Sequence, residues 1–313
     1  MEHMTLEREA RVFPALADDS LGARALLAHG AAYPGLGMSA ASARRRPLPP
    51  TERLRNAIER EELSVHYQPQ YETRGGRHCG VEALARWFPP DCESIAPTVF
   101  VQAAEKNGLI DALGAWVLRK ACATVATWNR NIEQLPILCV NVSPRQISPA
   151  FCTVLASTLE RTGFPAERLE LEITEGILIE KPDLALECIS QWKRLGVRIA
   201  LDDFGTGYSS LSYLSRLPVD RIKIDKTLVH RMSNDLKTAA IVRTVISLGA
   251  DLGVDVLAEG VESEAQLTML NGMGCRQVQG FLLALPARAD EAKSMLASRW
   301  GRRISLVGST HAS

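Results

Sequence analysis

The 313-residue chain has no excess of charge, since 36 Lys and Arg balance 36 Asp and Glu for a formal net charge of +0. Without a basic surplus, nothing supports general binding to a DNA or RNA polymer or to an anionic membrane surface. A small anion held at one local site stays compatible with that balance. No uninterrupted apolar run approaches the length of about 18 residues that a membrane-spanning helix needs, so no membrane partner is expected. The opening stretch, Met1-Glu2-His3-Met4-Thr5-Leu6-Glu7-Arg8-Glu9, lacks the basic-then-apolar order of a secretory signal. The seven cysteines (Cys79, Cys92, Cys122, Cys139, Cys152, Cys188 and Cys275) are odd in number and widely spaced, with no C-x-x-C pair. That pattern argues against a structural zinc site or a disulfide framework and for a reducing, cytoplasmic setting, with most thiols serving as small core residues. A G-x-G-x-x-G fingerprint for a dinucleotide redox cofactor is also missing.

What is present is a composition of 46% hydrophobic and 23% charged residues, that of a globular protein long enough to bury a large core. Residues 1–50 differ from the rest, being rich in Ala, Arg, Gly and Pro and ending in Arg44-Arg45-Arg46-Pro47-Leu48-Pro49-Pro50. We read them as a tail or linker, with a short helix over Leu21–His29 and a solvated basic run at its end. Residues 299–313 read as a second tail. Thr51 is positioned to N-cap a helix through Glu62, with Leu54 and Ile58 at helical spacing.

From there strand and helix patterns alternate. The strands predicted are Val65–Gln68, Val81–Trp87, Ile137–Asn141, Leu169–Ile173, Val197–Asp202, Arg221–Asp225, Asp255–Glu259 and Arg276–Phe281. Helical patterns cover Thr98–Asn107, Ala112–Asn129, Pro149–Thr162, Asp183–Leu195, Ser210–Leu217, Ala239–Leu252 and Ser263–Met273. Gly163, Gly196 and Gly253 stand where C-terminal helix caps belong. In the helix at Ala239–Leu252, Ile241, Val245, Leu248 and Leu252 mark the face expected to pack on the sheet. Eight strands with intervening helices over roughly 230 residues predict an α/β fold, a (β/α)8 TIM-like barrel. One connection is too short for a crossover helix. Between the first two strands lie only a few residues with Gly75-Gly76, so the first strand is expected to be antiparallel and the barrel irregular there.

In such a barrel chemistry sits at the strand ends. The strongest signal there is Asp202-Asp203, two adjacent acids closing an apolar strand and followed by Gly205-Thr206-Gly207. Adjacent buried carboxylates repel and desolvate one another unless a cation sits between them. Asn141, Glu172, Glu175, Lys223, Asp225, Glu259, Glu262 and Gln279 occupy comparable positions on other strands, and alternation places Glu82, Leu84 and Arg86 on one face. Taken singly, each could be a cap or a surface residue, and Lys223 could snorkel to solvent. Together they form an oxygen-only donor set suited to magnesium or manganese rather than zinc. So many acids exceed what one magnesium takes from protein, which points to two metals sharing an aspartate, the arrangement that hydrolyses phosphate esters. Lys223 would hold the water or neutralise phosphate, and the planar fork of Arg86 suits phosphate or a guanine edge.

The series Glu82-Ala83-Leu84-Ala85-Arg86-Trp87, Asp202-Asp203-Phe204-Gly205-Thr206-Gly207-Tyr208-Ser209-Ser210-Leu211 and Ala258-Glu259-Gly260-Val261-Glu262 resembles the EAL-domain family of cyclic di-GMP phosphodiesterases. Tyr67-Gln68-Pro69, Asn141-Val142-Ser143, Glu172-Ile173-Thr174-Glu175, Ile222-Lys223-Ile224-Asp225 and Gln279-Gly280-Phe281 extend the resemblance over about residues 52–297. It implies hydrolysis of cyclic di-GMP to linear 5′-pGpG with two Mg2+ or Mn2+ ions per site, in a domain spanning 51–298. Glu82, Asn141, Glu172 and Asp202 would hold the first metal, Asp203 with Glu259 the second, and Glu259 with Lys223 the water. Glu175 would anchor the loop that links the metals to a homodimer interface, and Gln68, Leu84, Arg86, Asp225 and Gln279 would contact the dinucleotide. Gly176 replaces a Ser frequent in the family, and Leu285 stands where a basic residue is common. No GGDEF-like segment is visible. The alternative is a catalytically weak relative that only binds cyclic di-GMP; a third reading is a protein-interaction role for the N-terminal segment.

Overall fold

The computed structural model describes residues 51–60, 62–89, 94–130, 135–176, 182–205, 217–297 and Trp300. The two tails, the helix expected over Leu21–His29, Cys92 and nearly all of the helix expected over Ser210–Leu217 lie outside those residues.

Eight strands close into a barrel in sequence order. They are β1 (Leu63–Glu72), β2 (His78–Trp87), β3 (Ile137–Asn141), β4 (Leu169–Thr174), β5 (Arg198–Phe204), β6 (Arg221–Ile224), β7 (Asp255–Ala258) and β8 (Gln277–Val278). β1 runs antiparallel to both β2 and β8, and every other neighbouring pair is parallel. The short β1–β2 turn enforces this direction. Gly75 and Gly76 adopt φ of 83° and 61°, the left-handed region that glycine reaches without a Cβ penalty.

Helices cover the outside of the barrel. They are α1 (Thr51–Glu59), α2 (Pro97–Lys106), α3 (Ile110–Ala126), α4 (Pro149–Thr162), α5 (Pro182–Arg194), α6 (Lys226–Arg231), α7 (Leu236–Leu252), α8 (Glu264–Gly272) and α9 (Ala289–Leu296). The core lies between this layer and the outward faces of the strands, where Tyr67 meets Trp128 edge-on at 5.2 Å and Phe151 meets Trp192 at 5.5 Å. Gly163 and Gly253 take left-handed cap conformations after α4 and α7, as their positions predicted.

Three expectations need correction. The buried face of α7 is Ala239, Val242, Val245, Ile246 and Gly249, whereas Ile241 and Leu252 are exposed. Val245 alone of the predicted stripe lies fully inside. Ile246 is as large as Ile241, so hydrophobic spacing alone did not choose between the two faces; the packed one combines Val242, Val245 and Ile246 with the small Ala239 and Gly249. At Gly249 a Cβ would strike the side chain of Val256, so close approach of helix and strand fixes the rotation. β1 is longer than Val65–Gln68 and runs straight through Pro69. The N–H of Tyr67 bonds the carbonyl of Ala287 at 2.8 Å, so the same edge at Pro69 faces a gap before β8, where no donor is needed. Finally, β8 is only two residues long. After Val278 the chain bends against Val261, and Gly280 sits where any Cβ would collide with the Val261 backbone.

Candidate functional site at the barrel mouth

Strand alternation sorts the inward side chains into two layers. On β3, β4 and β6 the lower layer carries Cys139, Glu170 and Arg221, and two residues further on the upper layer carries Asn141, Glu172 and Lys223. Parallel register holds these rows level, since Cys139 pairs with Glu170 and Asn141 with Glu172. On the antiparallel side Gln68 lies opposite Glu82.

The upper layer gathers around one ammonium. Lys223 Nζ lies 2.7 Å from Glu259 Oε1, 2.8 Å from Glu172 Oε2, 3.2 Å from Asp202 Oδ1 and 4.0 Å from Glu82 Oε1. All five residues are buried. Lys223 therefore does not snorkel; it is wholly enclosed. Burial by itself would depress its pKa, but Asp202, Glu172, Glu259 and Glu82 outweigh that and hold it well above the usual lysine range. The carboxylates move the other way. Burial pushes Glu172 and Glu259 well above the ordinary carboxylate range despite Lys223, and repulsion from neighbouring acids adds to it. Burial likewise raises Asp202. One positive charge is too little for four buried acids.

Amide groups complete the layer. Asn141 Nδ2 donates to Glu82 Oε1 at 2.8 Å, which leaves Asn141 Oδ1 buried with no hydrogen-bond partner. Gln279 Nε2 donates to Glu82 Oε2 at 2.6 Å and to Gln68 Oε1 at 3.1 Å, while Gln68 Nε2 donates to the Ala284 carbonyl at 3.0 Å. An unpartnered amide oxygen beside an excess of buried carboxylates is a set of hard oxygen donors lacking positive charge. These residues fit a divalent hard cation.

Asp203 follows at φ 55°, the left-handed region that a non-glycine residue rarely adopts. Burial, then Asp202 and Asp225, push its carboxyl up to about 7. The same Asp225 caps α6, accepting the Thr227 N–H at 2.8 Å and the Thr227 hydroxyl. Glu175 is buried just beyond β4. Leu84 and Gln279 are buried, and Arg86, half-buried, donates to the Ala85 carbonyl at 3.0 Å. The loop from 206 to 216 that Glu175 is expected to anchor lies outside the described residues. Glu262 sits apart from the cluster, 3.6 Å from His230.

Sequence reasoning missed the lower layer. There Arg221 Nη1 contacts Glu170 Oε1 at 2.7 Å and Gln70 Oε1 at 3.1 Å, and Arg198 reaches Glu170 Oε2 at 3.1 Å. The signal was available, because Leu169-Glu170-Leu171-Glu172 and Arg221-Ile222-Lys223 alternate polar and apolar, so the earlier polar residue shares the inward face. Cys139, Glu170 and Glu172 offer ligand atoms within 4.8 Å of one another. Two guanidiniums already neutralise Glu170, however, and burial drives the Cys139 thiol well above its usual pKa. A cation is therefore better served one layer up, where positive charge is short. A cavity of about 390 Å3 bounded by Glu62, Ser64, Tyr67, Lys120 and Arg288 contains none of these acids.

A family profile described as "EAL domain" matches residues 51–286. An uncharacterised signalling protein of Caulobacter vibrioides is 47% identical over 238 residues, covering 76% of this chain and 29% of that protein. The bifunctional diguanylate cyclase/cyclic di-GMP phosphodiesterase MucR of Pseudomonas aeruginosa is 40% identical over 245 residues, covering 78% of this chain and 36% of MucR. This chain thus spans roughly a third of the length of these curated relatives. The solved structure of the PaMucR phosphodiesterase in complex with c-di-GMP superposes with a TM-score of 0.74 at 40% identity, covering 76% of this chain and 97% of that one. With the family profile matched over most of its length, and on a closed (β/α)8 barrel carrying acids at its strand ends, this chain belongs to the EAL-domain family.

Proposed function

We propose that the protein is a metal-dependent phosphodiesterase that hydrolyses cyclic di-GMP to linear 5′-pGpG. The observation that carries this reading is the cluster of Glu82, Glu172, Asp202 and Glu259 around Lys223, with the bare Asn141 Oδ1 beside it. Glu82, Asn141, Glu172 and Asp202 would hold one Mg2+ or Mn2+, and Asp203 with Glu259 a second, with Asp202 shared. Bound there, the metals would supply the positive charge that makes water acidic enough to attack at neutral pH and that stabilises the phosphoryl oxygens.

The protein's own groups do the rest. Lys223 and Glu259, paired at 2.7 Å, present an ammonium and a carboxylate side by side to the attacking water. Water adds to phosphorus and yields a proton to the carboxylate of the Lys223–Glu259 pair, the P–O3′ bond breaks, and the departing 3′ oxygen takes a proton from solvent to end as a hydroxyl. Arg86 binds a phosphate or a guanine edge through its fork of donors, and Leu84, Gln68, Asp225 and Gln279 shape the floor beneath the dinucleotide. Glu175 anchors the loop after Asp203 and couples it to a homodimer partner. The balanced overall charge and the dense barrel mouth fit a small dianionic ligand better than a nucleic-acid polymer.

Chromatography of reaction products from cyclic di-GMP, with Mg2+ or Mn2+ and with a chelator, tests the reading. The expected result is pGpG in the presence of metal, none with chelator, and none from Asp202→Ala. Tight binding of cyclic di-GMP without hydrolysis in either metal would reassign the protein as a receptor for the nucleotide.

A further inference from the structure

One buried amide in the lower layer connects the barrel floor to the acids above it. Gln70 Oε1 accepts from Arg221 Nη1 at 3.1 Å and faces the Cys139 thiol at 3.6 Å, while Gln70 Nε2 donates to Gln279 Oε1 at 2.8 Å. Gln279 in turn donates to Glu82 Oε2 at 2.6 Å, and Glu82 Oε1 accepts from Asn141 at 2.8 Å. Gln70 and Gln279 are fully buried, Arg221 and Asn141 nearly so. Side-chain amides are usually ambiguous, because either end can face a neighbour. Here both ends of the chain remove that freedom. Arg221 can only donate, and the two Glu82 oxygens accept the Asn141 and Gln279 NH2 groups. Turning Gln70 over would set its NH2 against the guanidinium; turning Gln279 over would set its oxygen against the Glu82 carboxylate. Every amide therefore points one way, and the last consequence is that Asn141 spends its NH2 on Glu82 and presents a bare oxygen to the site.

We propose that Gln70, held by Arg221, is a positioning residue for the metal centre: it fixes the direction of the Gln279 amide, and through it the placement of Glu82 and of the free Asn141 oxygen. Gln70 touches neither the substrate nor the metals; it acts through Gln279. The inference rests on the metal-site reading above and adds to it the residue that orders the acceptors. Support on the partner strand comes from Gly80, directly opposite Gln70, where any Cβ would run into Gln70 Oε1. The site is built around that side chain, and β2 leaves room for it.

Two substitutions of similar length separate a positioning role from simple space filling. In Gln70→Glu the new carboxylate still accepts from Arg221 but can no longer donate, so Gln279 must turn over and aim its oxygen at Glu82. In Gln70→Met the donor is lost without that reversal. Mn2+ binding to the protein, followed by the electron paramagnetic resonance signal of free Mn2+, should weaken by roughly 10- to 100-fold in Gln70→Glu, the range typical of lost outer partners of metal ligands, and by a smaller factor, above about two-fold, in Gln70→Met. Thermal melting without metal should fall by roughly 2–12 °C in the Met variant, which leaves Arg221 and Gln279 short of one buried partner each, and kcat at saturating Mn2+ should return toward the wild-type value in Gln70→Met, where the Gln279 amide keeps its direction. Binding within about two-fold of wild type in Gln70→Met, or equal losses in the two variants, overturns the proposal. If Gln70→Glu does not fold, the Met variant alone decides by the same two-fold limit. If the wild-type protein binds no Mn2+, the metal-site reading falls as well, whereas wild-type binding with unaffected variants removes the role of Gln70 alone.

Discussion

Replacing Lys223 with Met tests the central claim about the site's electrostatics before any substrate is added. The ammonium removed sits within 2.7–3.2 Å of Glu259, Glu172 and Asp202 and 4.0 Å from Glu82, in a fully buried position. At an effective dielectric of about 20, one such contact near 3 Å is worth roughly 5–6 kcal/mol of attraction before the cost of burying the charges. Measured losses on stripping one partner from a buried ion pair are smaller, about 3–5 kcal/mol, because the groups left behind relax or take up protons. In a domain of this size each kcal/mol shifts Tm by about 2–4 °C, so metal-free Lys223→Met should melt roughly 6–20 °C below wild type. The deficit should depend on pH with a definite sign. Glu172 and Glu259 already have folded pKa values raised by burial above their ordinary 4.5, and losing Lys223 raises them further. A raised carboxyl stabilises fully below its unfolded pKa and loses that contribution as pH climbs toward the folded value. The gap between variant and wild type should therefore widen as pH rises above the ordinary carboxyl value of 4.5. Differential scanning fluorimetry in chelator across a pH series measures it, and added Mg2+ should restore more stability to the variant than to wild type. Equal melting temperatures at every pH would refute the argument that Lys223 is the compensating charge.

The opposite change, Glu172→Gln, removes a carboxylate that burial, Glu82, Asp202 and Glu259 all disfavour; it should raise the metal-free Tm by a few degrees while abolishing hydrolysis, checked by fluorimetry and product chromatography on the same preparation. Burial, then Arg86 and Arg288, lower the His66 pKa to about 4. Such a group contributes stability above its unfolded pKa of 6.5 that is lost as pH falls toward 4, so His66→Phe, which cannot take up a proton, should show a shallower drop in Tm on acidification. If the loop after Asp203 links the metals to a subunit interface, specific activity should rise with protein concentration through a monomer–dimer transition followed by light scattering; a flat activity curve through that transition would disprove the link.

The barrel, and the gathering of acids at its mouth, were legible in the order of residues. Alternating strand and helix patterns fixed the architecture, because a parallel strand must be followed by a crossover long enough to return, and the missing crossover at Gly75-Gly76 marked the one antiparallel strand. Acids at successive strand ends could be gathered at one mouth for the same reason, since parallel strands in a closed barrel end on the same side. What the sequence left undecided was rotation and depth. The face of α7 turned on small residues such as Gly249 that permit close approach, a property of the fit between helix and strand that hydrophobicity does not encode. Taken singly, Lys223 could have been a snorkelling lysine, and only barrel closure, which brings Glu82 Oε1 of β2 within 4.0 Å of its Nζ on β6, made it the enclosed counter-charge of four acids. Gln70 carried no signal of its own beyond its neighbour Gln68. Its meaning arises because β1 runs antiparallel between β2 and β8 and so sets one amide between Arg221 below and Gln279 above, where donors and acceptors must alternate.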